Sequence, residues 1–153
     1  MKATPPHNVE PKTQARRVLI VDDEPAILFA YQKLIQTEGF EADICEDLDE
    51  ALRLISKYSY FAVITDVRLT GCDDSGGVHL AQAVRRQQPD AKIIIISGFG
   101  NGEIDRILKE LGASRYFEKP VNPSLIMDFL KICLVASDER VDEFEFGLRP
   151  SES

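Results

Sequence analysis

The chain has 153 residues, 44% of them hydrophobic, which is enough for one domain with a proper core and too few for two ordinary ones. Its formal charge of -8 favours solubility and disfavours a surface that tracks a phosphate backbone, so direct binding to nucleic acid is not expected. Residues 1 to 16 hold Pro5, Pro6 and Pro11 among polar residues and no apolar segment, unlike a secretory signal or a spanning helix. The expectation is a cytoplasmic protein without membrane contact: a flexible tail over 1-16, one domain over 17-135, an acidic tail over 136-153, and any output module on a separate chain. Cys45, Cys72 and Cys133 lie far apart without CxxC spacing and read as reduced thiols, while His7 and His79 read as solvated, a poor basis for a zinc site.

Arg17 to Val21 reads as a first strand ending at Asp22-Asp23-Glu24-Pro25, where proline suits the opening of a helix. Ile27, Tyr31, Leu34 and Ile35 then recur at helical spacing as far as Gly39, a natural stop, and Phe40 to Cys45 form a second strand. Leu48, Ala51, Leu52 and Ile55 mark a second helix. It leads to Phe61-Ala62-Val63-Ile64-Thr65-Asp66, the composition of a strand buried on both faces that stops abruptly at a carboxylate. A polar, glycine-bearing loop from Thr70 to Gly77 precedes a third helix, Val78 to Gln87.

Ile93 to Ile96, four β-branched residues in a row, is the clearest strand, followed by Ser97 and the glycine-rich loop Gly98 to Gly102. Ile104, Ile107, Leu108 and Leu111 give an amphipathic helix closed by Gly112. Tyr116-Phe117 lead into Lys119-Pro120, and Leu125 to Val135 form the last helix. Strands alternating with helices across short loops call for an α/β fold, a doubly wound parallel sheet with right-handed crossovers.

In such a sheet the strand ends form one rim, which gathers Asp22, Asp23, Asp66, Ser97 and Lys119. Two unit charges ~4 Å apart repel by about 4 kcal/mol at an effective dielectric near 20. Three carboxylates therefore need cations: Lys119 supplies one, and a hard, water-retaining divalent ion, Mg²⁺, suits the rest. A carboxylate beside Mg²⁺ that faces a lysine and a hydroxyl is a fitting receiver for a phosphoryl group. Each residue also has a plainer reading: Asp22-Asp23 as a helix cap, Ser97 as a turn residue, Lys119 as a solvated lysine and Tyr116 as core. Their joint placement at matching strand ends favours a site.

The set Asp22-Asp23, Asp66, Ser97 and Lys119-Pro120, in that order and spacing, resembles the receiver domain of two-component response regulators over residues 17 to 135. The resemblance implies a flavodoxin-like (βα)5 fold with strand order 2-1-3-4-5. It implies that Asp66 is the phosphoacceptor, that Asp23, Asp66 and the Arg68 backbone carbonyl ligate Mg²⁺ with Asp22 acting mainly through water, and that Lys119 binds the acyl phosphate. A cis peptide before Pro120 is expected on the same ground. Tyr116 matches the family's aromatic switch, turning inward when Ser97 moves toward phosphoryl oxygens and changing the face made by the Ile104-Leu111 helix, the Tyr116-Phe117 strand and the last helix. Thr70 stands where the family commonly has proline, and Gly76-Gly77 come about two residues late, so the loop after Asp66 is lengthened.

The last helix shows a core-facing line, Ile126, Phe129 and Cys133, and a second apolar stripe, Met127, Leu130 and Leu134. The second stripe is expected to be a docking or homodimer surface, unless it is covered by the tail, whose Phe144, Phe146 and Leu148 alternate at strand period. Six acids against Arg140 and Arg149 in residues 137 to 153 point to a solvated, partly disordered tail.

The leading expectation is a phosphorylation switch that takes phosphoryl from a histidine kinase or phosphotransfer protein, acts on a downstream protein, and catalyses only its own modification. A haloacid-dehalogenase-like phosphatase would need an acid where Arg68 stands. A nucleotide or flavin binder would use Gly98, Gly100 and Gly102, but these follow the fourth strand and lack an acidic partner. An unphosphorylated interaction module on the same fold is the remaining alternative.

Overall fold

The computed structural model describes residues 16-67, 76-98, 109-110 and 112-146, with side chains as far as residue 137. The chain divides into two units, Met1–Val121 and Asn122–Ser153. The first holds a five-stranded sheet of β1 (Arg17–Val21), β2 (Glu41–Cys45), β3 (Ala62–Asp66), β4 (Lys92–Ser97) and β5 (Arg115–Glu118). Every pairing is parallel and the order is β2-β1-β3-β4-β5, as the family resemblance implied.

The three central strands are built from β-branched and small apolar residues, the composition of strands buried on both faces. Val18, Leu19, Ile20, Val21, Val63, Ile64, Ile93, Ile94 and Ile95 are at most 1% exposed. Alternate residues serve opposite faces. Leu19, Val21, Val63, Ile93 and Ile95 meet Leu48, Ala51 and Ile55 of α2 (Leu48–Lys57) and Leu80, Ala81 and Val84 of α3 (Gly76–Gln87). Helix α1 (Pro25–Thr37) lies along β1 and β2 and buries Leu28, Tyr31 and Ile35. Leu28 is buried where Ile27 and Leu34 were expected; both of those are only half-buried.

Local signals set the helix ends. Pro25 removes one orphan donor at the start of α1, and the Asp47 carboxylate accepts from the Glu50 N–H at 2.9 Å to cap α2. Gly39 ends the turn after α1 at φ +96°, a conformation that strains other residues. Edge strand β2 is pinned at its side: Asp43 Oδ2 accepts from Arg17 at 2.8 Å and from the Tyr60 hydroxyl at 2.7 Å, and Arg17 also pairs with Glu41 at 2.6 Å.

In the second unit the last helix, α4, runs Pro123–Phe146, eleven residues past the expected end at Val135. Its backbone is helical at Phe144 and Phe146, where strand period was one expectation, and residues 136-146 are helix instead of irregular tail. The physical reason is the absence of any glycine or proline between Ser124 and Phe146; the first breaker is Gly147. The two expected stripes also merge: Ile126, Met127, Leu130 and Cys133 are all buried, Phe129 and Leu134 are half-buried, and the exposed apolar residues are Leu125, Ile132 and Val135. Met127 and Leu130 are thus unavailable as an outward docking surface, a correction that follows from one buried face at 100° per residue taking in both lines.

Leu148, the helix predicted through Ile104 and Leu111 apart from residues 109-110, the Gly98 to Gly102 loop beyond Gly98, Thr70, Arg68, Cys72 and His7 lie outside the described residues. No helix among the described residues is long and apolar enough to cross a membrane. His79 is exposed, and Cys45 and Cys133 are buried free thiols. Burial, reinforced by Glu50 and Asp47, pushes the Cys45 thiol up to about 12, which keeps it protonated and unreactive.

Candidate functional site

The parallel sheet sends the ends of β1, β3, β4 and β5 to one rim, and each expected side chain within the described residues follows one of those ends. Asp22 leaves β1, Asp66 closes β3, Ser97 closes β4 and Lys119 follows β5. The register does the rest: Asp66 sits opposite Ile96, Ser97 opposite Glu118, and the Lys119 N–H donates to the Ser97 carbonyl at 2.8 Å. The Lys119-Pro120 bond is cis.

Lys119 joins the two carboxylates. Its Nζ donates to Asp66 Oδ2 at 2.7 Å and to Asp22 Oδ2 at 3.3 Å, across sequence separations of 53 and 97 residues. Burial alone would depress the Lys119 ammonium, but the Asp66 hydrogen bond and the two negative charges outweigh it and raise its pKa. Asp22 is 4% exposed. Its pKa is raised, chiefly by burial; Asp66 adds to the rise, while the Glu24 N–H and Lys119 oppose it. The Glu24 N–H donates to Asp22 Oδ1 at 3.0 Å, an Asx turn that also launches α1. Asp22 thus holds the turn before α1 and does not cap the helix, whose N-cap residue is Glu24 with no side-chain cap bond.

Asp23 lies exposed beside Asp22, Ser97 is 1% exposed, and Gly98 is exposed with open space where a side chain would be. Tyr116 is half-buried on β5 against the core cluster that lies under α2 and α3. Arg68, the expected source of a carbonyl ligand, is outside the described residues.

Among the described residues no three Asp, Glu, His or Cys side chains are gathered closely enough to hold a metal by themselves. The donors present are nonetheless the kind Mg²⁺ uses, one or two carboxylate oxygens with the remaining positions left to water. Asp23 and Asp66, with Asp22 as a neighbouring carboxylate, would hold such an ion. The residues fit Mg²⁺ and would be a poor match for a soft or tetrahedral ion.

Two features of the rim escaped the sequence. A Cβ on Gly77 would collide with the Asp66 carbonyl and lie 2.7 Å from Val67 Cα, so glycine is what lets α3 lie on the backbone of Asp66 and Val67, where the Gly77 N–H meets the Val67 carbonyl at 2.8 Å. The signal was present in the Gly76-Gly77 pair. The other is Tyr31, an aromatic on an otherwise aliphatic stripe, whose pKa is raised by burial, with Asp22 adding and Lys119 opposing.

Comparison with known proteins agrees with this geometry. The sequence pattern of the response regulator receiver domain matches residues 18–131. The chain is 33% identical over 114 residues to the NtrX-like response regulator of Rickettsia felis, covering 74% of this chain and 24% of that protein. It is 26% identical to the photosynthetic apparatus regulatory protein RegA of Rhodobacter capsulatus, covering 75% of this chain and 61% of RegA. The chain thus spans about a quarter of the NtrX-like relatives' length. A CheY-like receiver domain protein from Methanospirillum hungatei superposes with a TM-score of 0.74 at 28% identity, covering 82% of this chain and 98% of the other. Sequence pattern, strand order and rim geometry agree, and the chain belongs to the response regulator receiver domain family.

Proposed function

We propose that the chain is a phosphorylation switch in which Asp66 accepts a phosphoryl group from a histidine kinase or a histidine phosphotransfer protein. One observation carries the assignment: Lys119 places a single ammonium between Asp66 and Asp22 at the open end of a parallel sheet. An Asp66 carboxylate oxygen attacks phosphorus in line, the new O–P bond forms as the donor's N–P bond breaks, and the freed imidazole keeps the electron pair. Asp23 and Asp66, with Asp22 beside them, would hold Mg²⁺, which would supply positive charge for the phosphoryl oxygens when bound.

Lys119 turns from the carboxylates to a phosphoryl oxygen, since the transferred group brings more charge than Asp66 gives up. The Ser97 hydroxyl donates to another oxygen, and Tyr116 follows into the space behind Ser97. The altered surface around β5 then binds a downstream protein. Turnover is confined to the chain's own phosphorylation and its reversal, and its kinase or phosphotransfer donors suit a cytoplasmic setting.

Incubation with acetyl phosphate and Mg²⁺, read by intact mass, tests this. The expected result is a metal-dependent gain of one phosphoryl group that is absent in Asp66→Asn. No gain in the parent chain, or an equal gain in the variant, would remove the assignment of Asp66.

A further inference from the structure

Neighbouring strands β3 and β4 deliver Asp66 and Ser97 to the rim, and both strands begin at the opposite end of the sheet. At that far end stands one half-buried side chain, Gln88, just past α3, where its N–H donates to the Val84 carbonyl at 2.7 Å and ends the helix. Its Nε2 donates to the Ile55 and Tyr58 carbonyls, both at 2.7 Å, and its Oε1 accepts from the Tyr60 N–H at 2.7 Å. Its own carbonyl accepts from the Ala91 N–H at 3.0 Å.

These partners lie where regular structure runs out. Ile55 is in the last turn of α2, whose final carbonyls have no partner within the helix. Tyr58 and Tyr60 belong to the short link between α2 and β3, and Ala91 immediately precedes β4. Backbone groups in such links need partners from elsewhere. A side-chain amide brings two N–H donors and an acceptor on one plane, a set that no hydroxyl, carboxylate or ammonium has.

The starts of two strands are thereby tied to one residue. Oε1 holds the chain two residues before β3, and the carbonyl holds it one residue before β4. The next bond in line, from the Lys92 N–H to the Phe61 carbonyl at 2.9 Å, opens the ladder between the strands. From there the register runs from Ala62 opposite Lys92 to Asp66 opposite Ile96, so the level at which β3 enters fixes the level at which Asp66 leaves. Helix α3 is also held to this strand at both ends. The Gly77 N–H meets the Val67 carbonyl at 2.8 Å beside the rim, and the Gln88 amide meets the Tyr60 N–H at the far end.

We propose that Gln88 is a positioning residue for Asp66: by fixing where β3 and β4 begin and holding α3 along β3, it sets the height at which the Asp66 carboxylate stands beside Ser97 and Lys119. The inference rests on the assignment of Asp66 as phosphoacceptor above. Gln88 touches no reacting atom and acts from the other end of a five-residue strand. A displacement there reaches the rim because close-packed elements transmit strain. In-line attack is sensitive to it, since a reacting group misplaced by ~1 Å can lose about 100-fold in rate.

The test uses the full chain and three variants. Gln88→Met keeps an unbranched side chain of similar length without the amide, and Gln88→Asn draws the amide back by one methylene, which keeps the question answerable should Gln88→Met not fold. Tyr60→Phe is the control: it loses the hydroxyl bond to Asp43 but retains the N–H that Gln88 holds. Phosphoryl gain is followed by intact mass across acetyl phosphate concentrations with Mg²⁺ present, alongside thermal melting and hydrogen exchange at the Tyr60 amide. In both Gln88 variants that amide should exchange at least about tenfold faster. Their maximal phosphorylation rate should fall at least about threefold while the half-saturating acetyl phosphate concentration stays near that of the parent, the pattern of a misplaced nucleophile. Tyr60→Phe should melt lower than the parent yet keep the parent's maximal rate. A parent-like maximal rate in the Gln88 variants overturns the inference alone. So does a slowing in Tyr60→Phe equal to theirs, which would trace the loss to stability. A parent chain that gains no phosphoryl group overturns the assignment of Asp66 and this inference with it.

Discussion

Replacing Lys119 with Met removes the ammonium that bridges Asp22 and Asp66 while keeping an unbranched side chain of similar bulk. The two carboxylate oxygens that meet Nζ lie 2.7 and 3.3 Å from it, so they are at most about 6 Å apart. At an effective dielectric near 20, two unit charges at that separation repel by roughly 3 kcal/mol. The lost attraction is larger in gross terms, but the burial that opposes the Lys119 charge offsets much of it. A net loss of about 3 kcal/mol is expected for the metal-free variant at neutral pH, matching the usual 3–5 kcal/mol for breaking a buried pair from one side. For a domain of this size that lowers Tm by roughly 6–12 °C.

Two further readings identify the cause. Asp22 already has a raised pKa, and in the variant the opposing Lys119 charge is gone. Acidification through that pKa neutralises Asp22, so the deficit should shrink as pH falls. Mg²⁺ should shrink it as well, since a cation replaces the one removed. Thermal melting followed by circular dichroism, with and without Mg²⁺ across mildly acidic to neutral pH, gives all three numbers. A metal-free Tm within about 2 °C of the parent, or a deficit that ignores pH, would refute the view that Lys119 offsets a crowded pair of carboxylates.

The parent chain has an alkaline signature of its own. The folded pKa of Lys119 is raised above the ordinary 10.5, so its contribution is complete below 10.5 and is lost as pH rises through the higher folded value. Metal-free Tm should therefore fall more steeply there than in Lys119→Met. Asp23→Asn relieves like charge at the rim. Because Asp23 is exposed, the gain in apo stability is at most about 1 kcal/mol, whereas calorimetry should show a clear loss of Mg²⁺ affinity. An unchanged or lower apo Tm would count against crowding. Gly77→Ala pushes a methyl into the Asp66 and Val67 backbone, at a cost of roughly 1–3 kcal/mol and with slower phosphorylation by acetyl phosphate. Parent-like values of both would show that α3 can move aside freely. Tyr60→Phe removes the 2.7 Å bond to Asp43 while leaving the Arg17 pair, so urea denaturation should register a loss of about 1 kcal/mol.

Periodicity and punctuation made most of the first unit legible. Ile93 to Ile96 cannot be read as anything but a buried strand, and the Gly39 stop, the Asp22-Asp23-Glu24-Pro25 opening and the alternation of strand with helix together imply parallel strands with a shared rim. From that shared rim, the candidate residues Asp22, Asp66, Ser97 and Lys119 follow without any knowledge of distances. Local signals are strong there because each element either buries an apolar stripe or ends at a glycine or proline.

Where burial stops, the sequence signal weakens. Past Val135 the last helix has no continuous apolar face to reveal its period, and its only stop signal is Gly147, so its true length and its single buried face were settled by the fold. The same limit holds at the rim. Side-chain pattern tells which strand end a residue occupies, but contacts between residues 53 and 97 positions apart depend on the sheet register, which no local pattern encodes. That Lys119 is shared unequally between Asp66 and Asp22 and that Gly77 lies against the backbone of Asp66 were decided by tertiary structure alone. Each depends on how separate elements stack in space, at a scale of one or two ångströms that local periodicity does not resolve.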